Sequence, residues 1–189
     1  MVSNSKIAFV GSASTGKTTL ANLLSKELSI TLIPELESIL LSAWINKGKL
    51  KSKFDFTLEQ SKDFFEKSLR RREEITLQKN SYISDRSTAD LYVYFSFYVE
   101  PKVDKIYSSN FKKRCEKVMQ NYTDIILFPF GLIELKDNKS RTIDMQYQLN
   151  VDKKLRQTLD EFNLSFLELS TYDTSIDKLK EDILIWIRK

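Results

Sequence analysis

An eight-residue segment near the amino end carries the clearest chemical pattern in the 189-residue chain. Residues 11–18, Gly-Ser-Ala-Ser-Thr-Gly-Lys-Thr, match the phosphate-loop pattern G-x-x-x-x-G-K-[ST] between an apolar run and an amphipathic stretch, as the pattern requires. The amides of such a loop and the positive end of the next helix bind phosphate. We expect Lys17 to contact the β- and γ-phosphates of ATP and the Thr18 hydroxyl to ligate Mg²⁺. The residues predicted to surround ATP are Gly11, Ser14, Thr15, Gly16, Lys17, Thr18 and Thr19.

Two acids follow predicted strands, and an arginine accompanies one of them. Glu35 follows residues 30–34, and Asp85-Arg86 follows residues 81–84. Ligands of parallel sheets bind beyond the carboxyl ends of the strands, where a carboxylate can accept the proton of an attacking hydroxyl. We therefore predict Glu35 or Asp85 as the general base, Asp85 also as a Mg²⁺ ligand, and Arg86 as a cation for the acceptor or the transferred charge. The structural alternatives are a helix N-terminal charge for Glu35 and a strand-end ion pair for Asp85-Arg86.

Three other patterns have both a functional and a structural interpretation. In the polar stretch of residues 136–144, Arg141 is predicted to be the cation of a basic lid over the phosphates, with a solvated loop arginine as the alternative. For the three arginines at 70–72, inside a long predicted helix, a solvent-facing charged surface is favoured over contact with a substrate phosphate. The three-residue spacing of Tyr92, Phe95 and Tyr98 favours core packing over a base-stacking platform.

Five short apolar runs alternate with helical stretches and position these residues. The predicted strands are residues 6–10, 30–34, 81–84, 124–129 and 165–169, and the predicted helices are residues 18–28, 36–44, 54–79, 89–99, 103–121, 145–162 and 176–188. This alternation predicts an α/β fold in which right-handed crossovers place helices on both faces of a parallel sheet. We expect a P-loop NTPase three-layer sandwich with a five-stranded parallel sheet, formed by residues 1–189 as a single domain.

The composition excludes several classes of chemistry. The chain has no histidine and one cysteine, Cys115, so Ser-His and Cys-His nucleophiles, His-ligated metals and an internal disulfide are excluded. The net charge of +4 permits a polyanionic ligand but does not by itself indicate nucleic acid. The apolar run at 91–99 is about half the length of a membrane span, and residues 1–5 contain no hydrophobic stretch of the signal-peptide type. We expect a soluble cytoplasmic protein without a membrane partner.

The motifs together resemble a known family. Residues 11–20, Pro34-Glu35, Asp85-Arg86-Ser87 with Asp90, and residues 139–141 (Lys-Ser-Arg) resemble the small AAA-like P-loop ATPase/kinase family associated with NAD metabolism, in motif order over nearly the whole chain. That family includes the nicotinamide ribonucleoside kinase domain of the bacterial NAD regulator. The resemblance implies a P-loop fold and an ATP-dependent activity.

The chain is also similar to deoxynucleoside kinases. Those enzymes place a glutamate after the second strand and an acidic-Arg-Ser triplet after the third, as in Glu35 and Asp85-Arg86-Ser87, although their triplet begins with Glu. There the glutamate deprotonates the ribose 5′-hydroxyl and the triplet positions that end of the substrate. The resemblance implies that Glu35 is the base and that Arg86 is the acceptor-side cation.

Three functions are compatible with these residues. The leading hypothesis is a kinase that transfers the γ-phosphate of ATP to a small nucleoside-like or nucleotide acceptor, with Lys17 and Arg141 stabilising the transferred group. The second is a regulatory ATPase, although no distinctive water-positioning residue or arginine finger is found. The third, less favoured, is a kinase of modified bases in DNA, suggested by the basic residues around 112–114, which a solvated helix face also explains. The oligomeric state is left open.

Overall fold

The computed structural model describes residues 4–46, 56–132 and 144–188, which form five strands and seven α-helices. The strands are β1 (Lys6–Gly11), β2 (Thr31–Ile33), β3 (Tyr82–Asp85), β4 (Asp124–Phe128) and β5 (Leu167–Glu168). The helices are α1 (Lys17–Leu28), α2 (Leu36–Asn46), α3 (Leu58–Gln78), α4 (Thr88–Tyr98), α5 (Lys105–Met119), α6 (Met145–Glu161) and α7 (Ile176–Trp186). Within these ranges, no helix combines the length and apolar character needed to cross a bilayer.

The strands form one parallel sheet in the order β2-β3-β1-β4-β5. β1 therefore lies in the centre, and β3 and β4 pair with its two sides. Phe9 of β1 is in register with Asp85, and Gly11 is in register with Phe128. The carboxyl ends of β2, β3 and β1 consequently lie side by side, which brings the segments after these three strands to one edge of the sheet.

Residues of β1 alternate between two hydrophobic cores, which places helices on both faces of the sheet. Ile7 and Phe9 pack in the core that contains residues of α1 and α7. Ala8 and Val10 pack in the core formed by α3, α4, α5 and α6. All four side chains are fully buried. The predicted P-loop NTPase three-layer sandwich is confirmed.

The two edge strands are shorter than predicted. β2 has three residues and β5 has two, whereas the apolar runs predicted five for each. Each edge strand pairs with a single neighbour, β2 with β3 and β5 with β4, so backbone pairing extends only as far as that neighbour reaches. The apolar residues beyond the pairing, such as Ile30 and Leu169, still pack into the core.

The aromatic residues of α4 follow the core prediction at two of three positions. Tyr92 and Phe95 are buried, and Phe95 stacks on Phe111 with ring centroids 4.1 Å apart. The prediction is wrong at Tyr98, whose side chain is 48% exposed and whose hydroxyl lies 2.7 Å from the Tyr147 hydroxyl. Tyr98 is the last residue of α4 and lies beyond the part of the helix that faces the core.

Gly11→Ala is expected to destabilise the fold. A Cβ at Gly11 would lie 2.4 Å from the Phe128 carbonyl oxygen, and the residue has a φ of +150°. Because β1 and β4 are held together in the sheet, that oxygen cannot move freely, and we expect a loss of about 1–3 kcal/mol in the free energy of unfolding. Urea denaturation measures it. Gly131→Ala is the matched control, because Gly131 has a φ of +83° but nothing within 4 Å of the added Cβ. Equal losses in both variants would contradict the steric explanation.

Candidate active site

The loop between β1 and α1 has the backbone of an anion-binding turn. Ser14 and Gly16 have positive φ angles of 62° and 87°. α1 begins at Lys17, and its N-cap residue Gly16 provides no side-chain hydrogen bond to the first-turn amides. These amides and the positive end of the helix are suited to hold phosphate oxygens.

Lys17 lies under this loop. Its side chain is buried, and its ammonium group donates hydrogen bonds to the Ser12 carbonyl and, at 2.9 Å, to the Thr15 hydroxyl. Burial, followed by the charge of Arg86, lowers the Lys17 pKa to about 7. A polyanion in the loop would favour the charged form of this group, so the donors present fit a nucleotide polyphosphate.

Thr18 and Asp85 form a hydroxyl–carboxylate pair at the start of α1. The Thr18 hydroxyl donates to Asp85 Oδ2 at 2.6 Å. Burial raises the pKa of Asp85, although the Thr18 hydrogen bond and the charge of Lys17 oppose that shift. Mg²⁺ is often held in phosphate-transfer sites by one or two protein oxygens together with phosphates and water. This pair fits that ligand set, and the described residues contain no cluster of three or more acidic or cysteine ligands that would form a separate metal cage.

Glu35 faces Arg86 rather than Thr18. Arg86 Nε donates to Glu35 Oε1 at 2.6 Å, and Arg86 Nη1 donates to the Gly11 carbonyl at 3.2 Å. Burial alone would raise the pKa of Glu35, but the charge and the hydrogen bond of Arg86 outweigh it and lower the pKa below its usual value. Glu35 is therefore an ionised acceptor held chiefly by Arg86, with a further hydrogen bond from the Ser38 side chain.

Arg86 has an unusual backbone conformation. Its φ is +74°, the left-handed region that bulky residues rarely adopt. Its N–H donates to the Phe9 carbonyl at 3.0 Å, and its own carbonyl accepts hydrogen bonds from Ser84 and Arg72. Its guanidinium carbon lies 5.5 Å from the centre of the Tyr94 ring. Strained backbone of this kind clusters at functional sites, where surrounding contacts hold it.

Asp90 connects the phosphate loop to α4. Its Oδ1 accepts from the Gly11 amide at 3.1 Å, and its Oδ2 accepts from the Ser87 amide and hydroxyl at 2.8 and 2.9 Å. Ser87 is the N-cap of α4, so Ser87 and Asp90 form a capping box. Oδ1 also lies 3.5 Å from Arg86 Nη1. The start of α4 thereby fixes both the loop and the arginine.

The predicted solvent-facing surface at residues 70–72 is wrong at Arg72. Arg70 and Arg71 are exposed, but Arg72 is 2% exposed because it lies on the buried face of α3. Its Nε and Nη2 donate to the two Glu37 carboxylate oxygens at 3.0 and 2.7 Å. Its Nη1 donates to the Arg86 carbonyl at 2.8 Å.

A side chain of α6 also contacts the phosphate loop. Gln148, which is 2% exposed, accepts a hydrogen bond from the Ala13 amide through Oε1 at 3.0 Å. The neighbouring Tyr147 contacts α4 through the hydroxyl of Tyr98. The first turn of α6 is thus attached to both the loop and α4.

The structure brings most of the predicted site residues to one edge of the sheet. Gly11 to Thr19 form the loop and the start of α1, with Asp85 against Thr18 and Arg86 between Glu35 and Gly11. Arg141, the predicted lid cation, lies outside the described residues. Several residues in or beside the site were not predicted as catalytic or ligand-binding: Glu37, Arg72, Asp90 and Gln148. Arg72 was expected on a solvent-facing surface, and Asp90 was named only within the family motif, where it also completes a Ser-x-x-Asp capping pattern.

Two basic residues of α5, Lys112 and Arg114, are paired with acids. Arg114 forms ion pairs with Glu66 and Glu73 of α3 at 2.7 and 2.9 Å, and Lys112 pairs with Glu161 of α6. These contacts tie α5 to its neighbours. Contacts between helices therefore account for Lys112 and Arg114, which weakens the support that these two residues give to a nucleic-acid surface.

A family model described as an AAA domain matches residues 6–176. No match was found among curated protein sequences.

Three solved structures share the fold. Deoxyadenosine kinase from M. mycoides, solved with dCMP and dCDP, has a TM-score of 0.67 at 14% identity over 97% of this chain and 98% of that one. Thymidylate kinase from Ehrlichia chaffeensis has a TM-score of 0.66 at 19% identity over 98% and 99%. NadR protein in complex with NAD and AMP-PNP has a TM-score of 0.60 at 18% identity, over 94% of this chain and 49% of that one. These matches confirm the resemblance predicted from the motifs.

Proposed function

The chain belongs to the AAA domain family, and we propose that it is an ATP-dependent phosphotransferase acting on the hydroxyl of a small nucleoside-like or nucleotide acceptor. One observation carries the proposal: two carboxylates on adjacent strand ends have different partners. Asp85 binds Thr18 on the phosphate side, and Glu35 binds Arg86 on the other. A site with separate places for a metal-bound phosphate and for an acceptor hydroxyl is what group transfer requires.

On the phosphate side, Lys17 and the loop amides would hold the β- and γ-phosphates, and Thr18 and Asp85 would hold Mg²⁺. The buried ammonium of Lys17 neutralises charge on the transferred group. The chemistry that Mg²⁺ would supply there is neutralisation of the negative charge on the phosphates. Arg141 of the polar stretch is proposed as a further cation over the phosphates.

On the acceptor side, Glu35 accepts the proton of the acceptor hydroxyl, and Arg86 holds the carboxylate in the required direction. The low pKa of Glu35 makes it a weak base, which suits a loose transition state in which the nucleophile carries little bond order. The nucleoside and nucleotide kinases with this fold support an acceptor of that chemical class.

The test is a transfer assay with labelled ATP and a panel of nucleosides, nucleoside monophosphates and nicotinamide riboside. We expect label to move to one acceptor class and hydrolysis of ATP alone to be slow, because both ligands are needed to assemble the site. Fast hydrolysis that no acceptor alters would instead support a regulatory ATPase. Transfer only to DNA would support the modified-base kinase.

A further inference from the structure

Arg72 is a buried cation that binds Glu37, two residues after Glu35, and the backbone carbonyl of Arg86. Its guanidinium divides its hydrogen bonds between two elements. Two nitrogens bind the Glu37 carboxylate, and Nη1 donates to the Arg86 carbonyl at 2.8 Å and to the Ser84 hydroxyl at 3.1 Å.

The bonds of Arg72 act on Glu35 through its neighbour Glu37 and on Arg86 through its backbone. Glu37 lies two residues after Glu35, in the first turn of α2, so a bond to Glu37 fixes the segment that presents Glu35. The other bond goes to the backbone of Arg86 itself. One planar guanidinium with donors in a fixed fork can make both sets of bonds at once, whereas a lysine ammonium offers a single point charge.

The contact with Arg86 acts on a strained residue. A left-handed backbone at a residue with a long side chain costs about 1–2 kcal/mol and persists only where neighbouring bonds enforce it. Here the Arg86 N–H is bound to the Phe9 carbonyl, and the Arg86 carbonyl accepts from Ser84 and Arg72. Without these bonds the peptide would relax, and the guanidinium would no longer point at Glu35.

We propose that Arg72 is a positioning residue, which holds Arg86 in its left-handed conformation and Glu35 opposite it. Buried ion pairs can often be replaced by apolar side chains without loss of stability, so stability alone does not account for an ion pair at this place. A fully hydrogen-bonded buried network does fix geometry. The effect on catalysis rests on the proposed phosphotransfer, whereas the effect on Arg86 does not.

The experiment compares Arg72→Met with the double variant Arg72→Met/Glu37→Leu. The single variant leaves Glu37 as an unpaired carboxylate, so we expect a lower melting temperature. The double variant removes both charges and is expected to recover most of that loss. Arg72→Lys is the conservative variant that keeps the charge, and Arg71→Met, in an exposed pair with Glu74, is the matched control.

In the transfer assay, we expect kcat to fall at least tenfold in both Met variants and to recover only partly in Arg72→Lys. The Kd for a non-hydrolysable ATP analogue should stay within about twofold of wild type, because the phosphate loop is not altered. A double variant that regains both its melting temperature and its kcat would show that the ion pair is merely structural and would overturn the proposal.

Amide hydrogen exchange at Arg86 tests the same proposal without any activity. This amide is bound to the Phe9 carbonyl, and we expect its exchange to be at least tenfold faster in the double variant and unchanged in Arg71→Met. Unchanged exchange in the double variant would overturn the positioning role. If wild type transfers phosphate to no acceptor but exchange still accelerates, the proposed function fails and the positioning role stands. If Arg72→Met does not fold, Arg72→Lys gives the same readouts.

Discussion

Lys17→Ala is expected to weaken binding of the ATP·Mg²⁺ complex by about 2–3 kcal/mol, or roughly 30- to 150-fold in Kd, as for a lost charge-assisted hydrogen bond. The ammonium group is the cation placed directly under the loop, within reach of its carbonyl and hydroxyl oxygens. Calorimetry with a non-hydrolysable ATP analogue measures the change.

Lys17→Ala is also expected to affect the stability of the fold. The Lys17 side chain is buried and bonded to Ser12 and Thr15, so it contributes to the fold as well as to the expected contact with phosphate. We therefore expect some loss of thermal stability, which a melting curve quantifies. Lys26→Ala is the control, because Lys26 is an exposed lysine of the same helix. Unchanged nucleotide affinity in a folded Lys17→Ala protein would rule out the phosphate-loop assignment.

The phosphate loop and the sheet were predictable from sequence for local reasons. A Gly-Lys-Thr turn between a strand and a helix is encoded in eight consecutive residues, and the strand-end rule then places Glu35 and Asp85 at one edge. The rule depends only on strands being parallel and adjacent, and the order β2-β3-β1 satisfies it.

The partners within the site were not predictable, because they come from distant segments. Asp85 binds Thr18 from 67 residues away, and Arg72 binds Glu37 from 35 residues away. A run of three arginines in the sequence predicts a single charged surface. Consecutive residues of a helix, however, are about 100° apart around its axis, and of these three only Arg72 faces inward. The left-handed backbone of Arg86 is likewise held by bonds to Phe9 of β1 and Arg72 of α3, together with one to the nearby Ser84, rather than by its own residue type.

The largest effect on turnover is expected from Glu35→Gln. The amide can still accept the hydrogen bond of Arg86, so the shape of the site is kept while the ability to take a proton is lost. We expect kcat to fall by about 10²- to 10⁴-fold, the usual range for a positioned base, with ATP affinity nearly unchanged. A loose transition state makes the low end of this range the expected one. Glu161→Gln is the control, because Glu161 is also paired with a single cation but lies on α6 outside the site.

Asp85→Asn separates the two carboxylates. Because Asp85 is bonded to Thr18, we expect its replacement to raise the Mg²⁺ concentration needed for half-maximal activity, whereas Glu35→Gln should leave that concentration unchanged. A titration of Mg²⁺ at saturating ATP measures both. If Glu35→Gln keeps full activity and Asp85→Asn is inactive at every Mg²⁺ concentration, the base is Asp85. The Glu35–Arg86 pair would then position the acceptor without taking its proton.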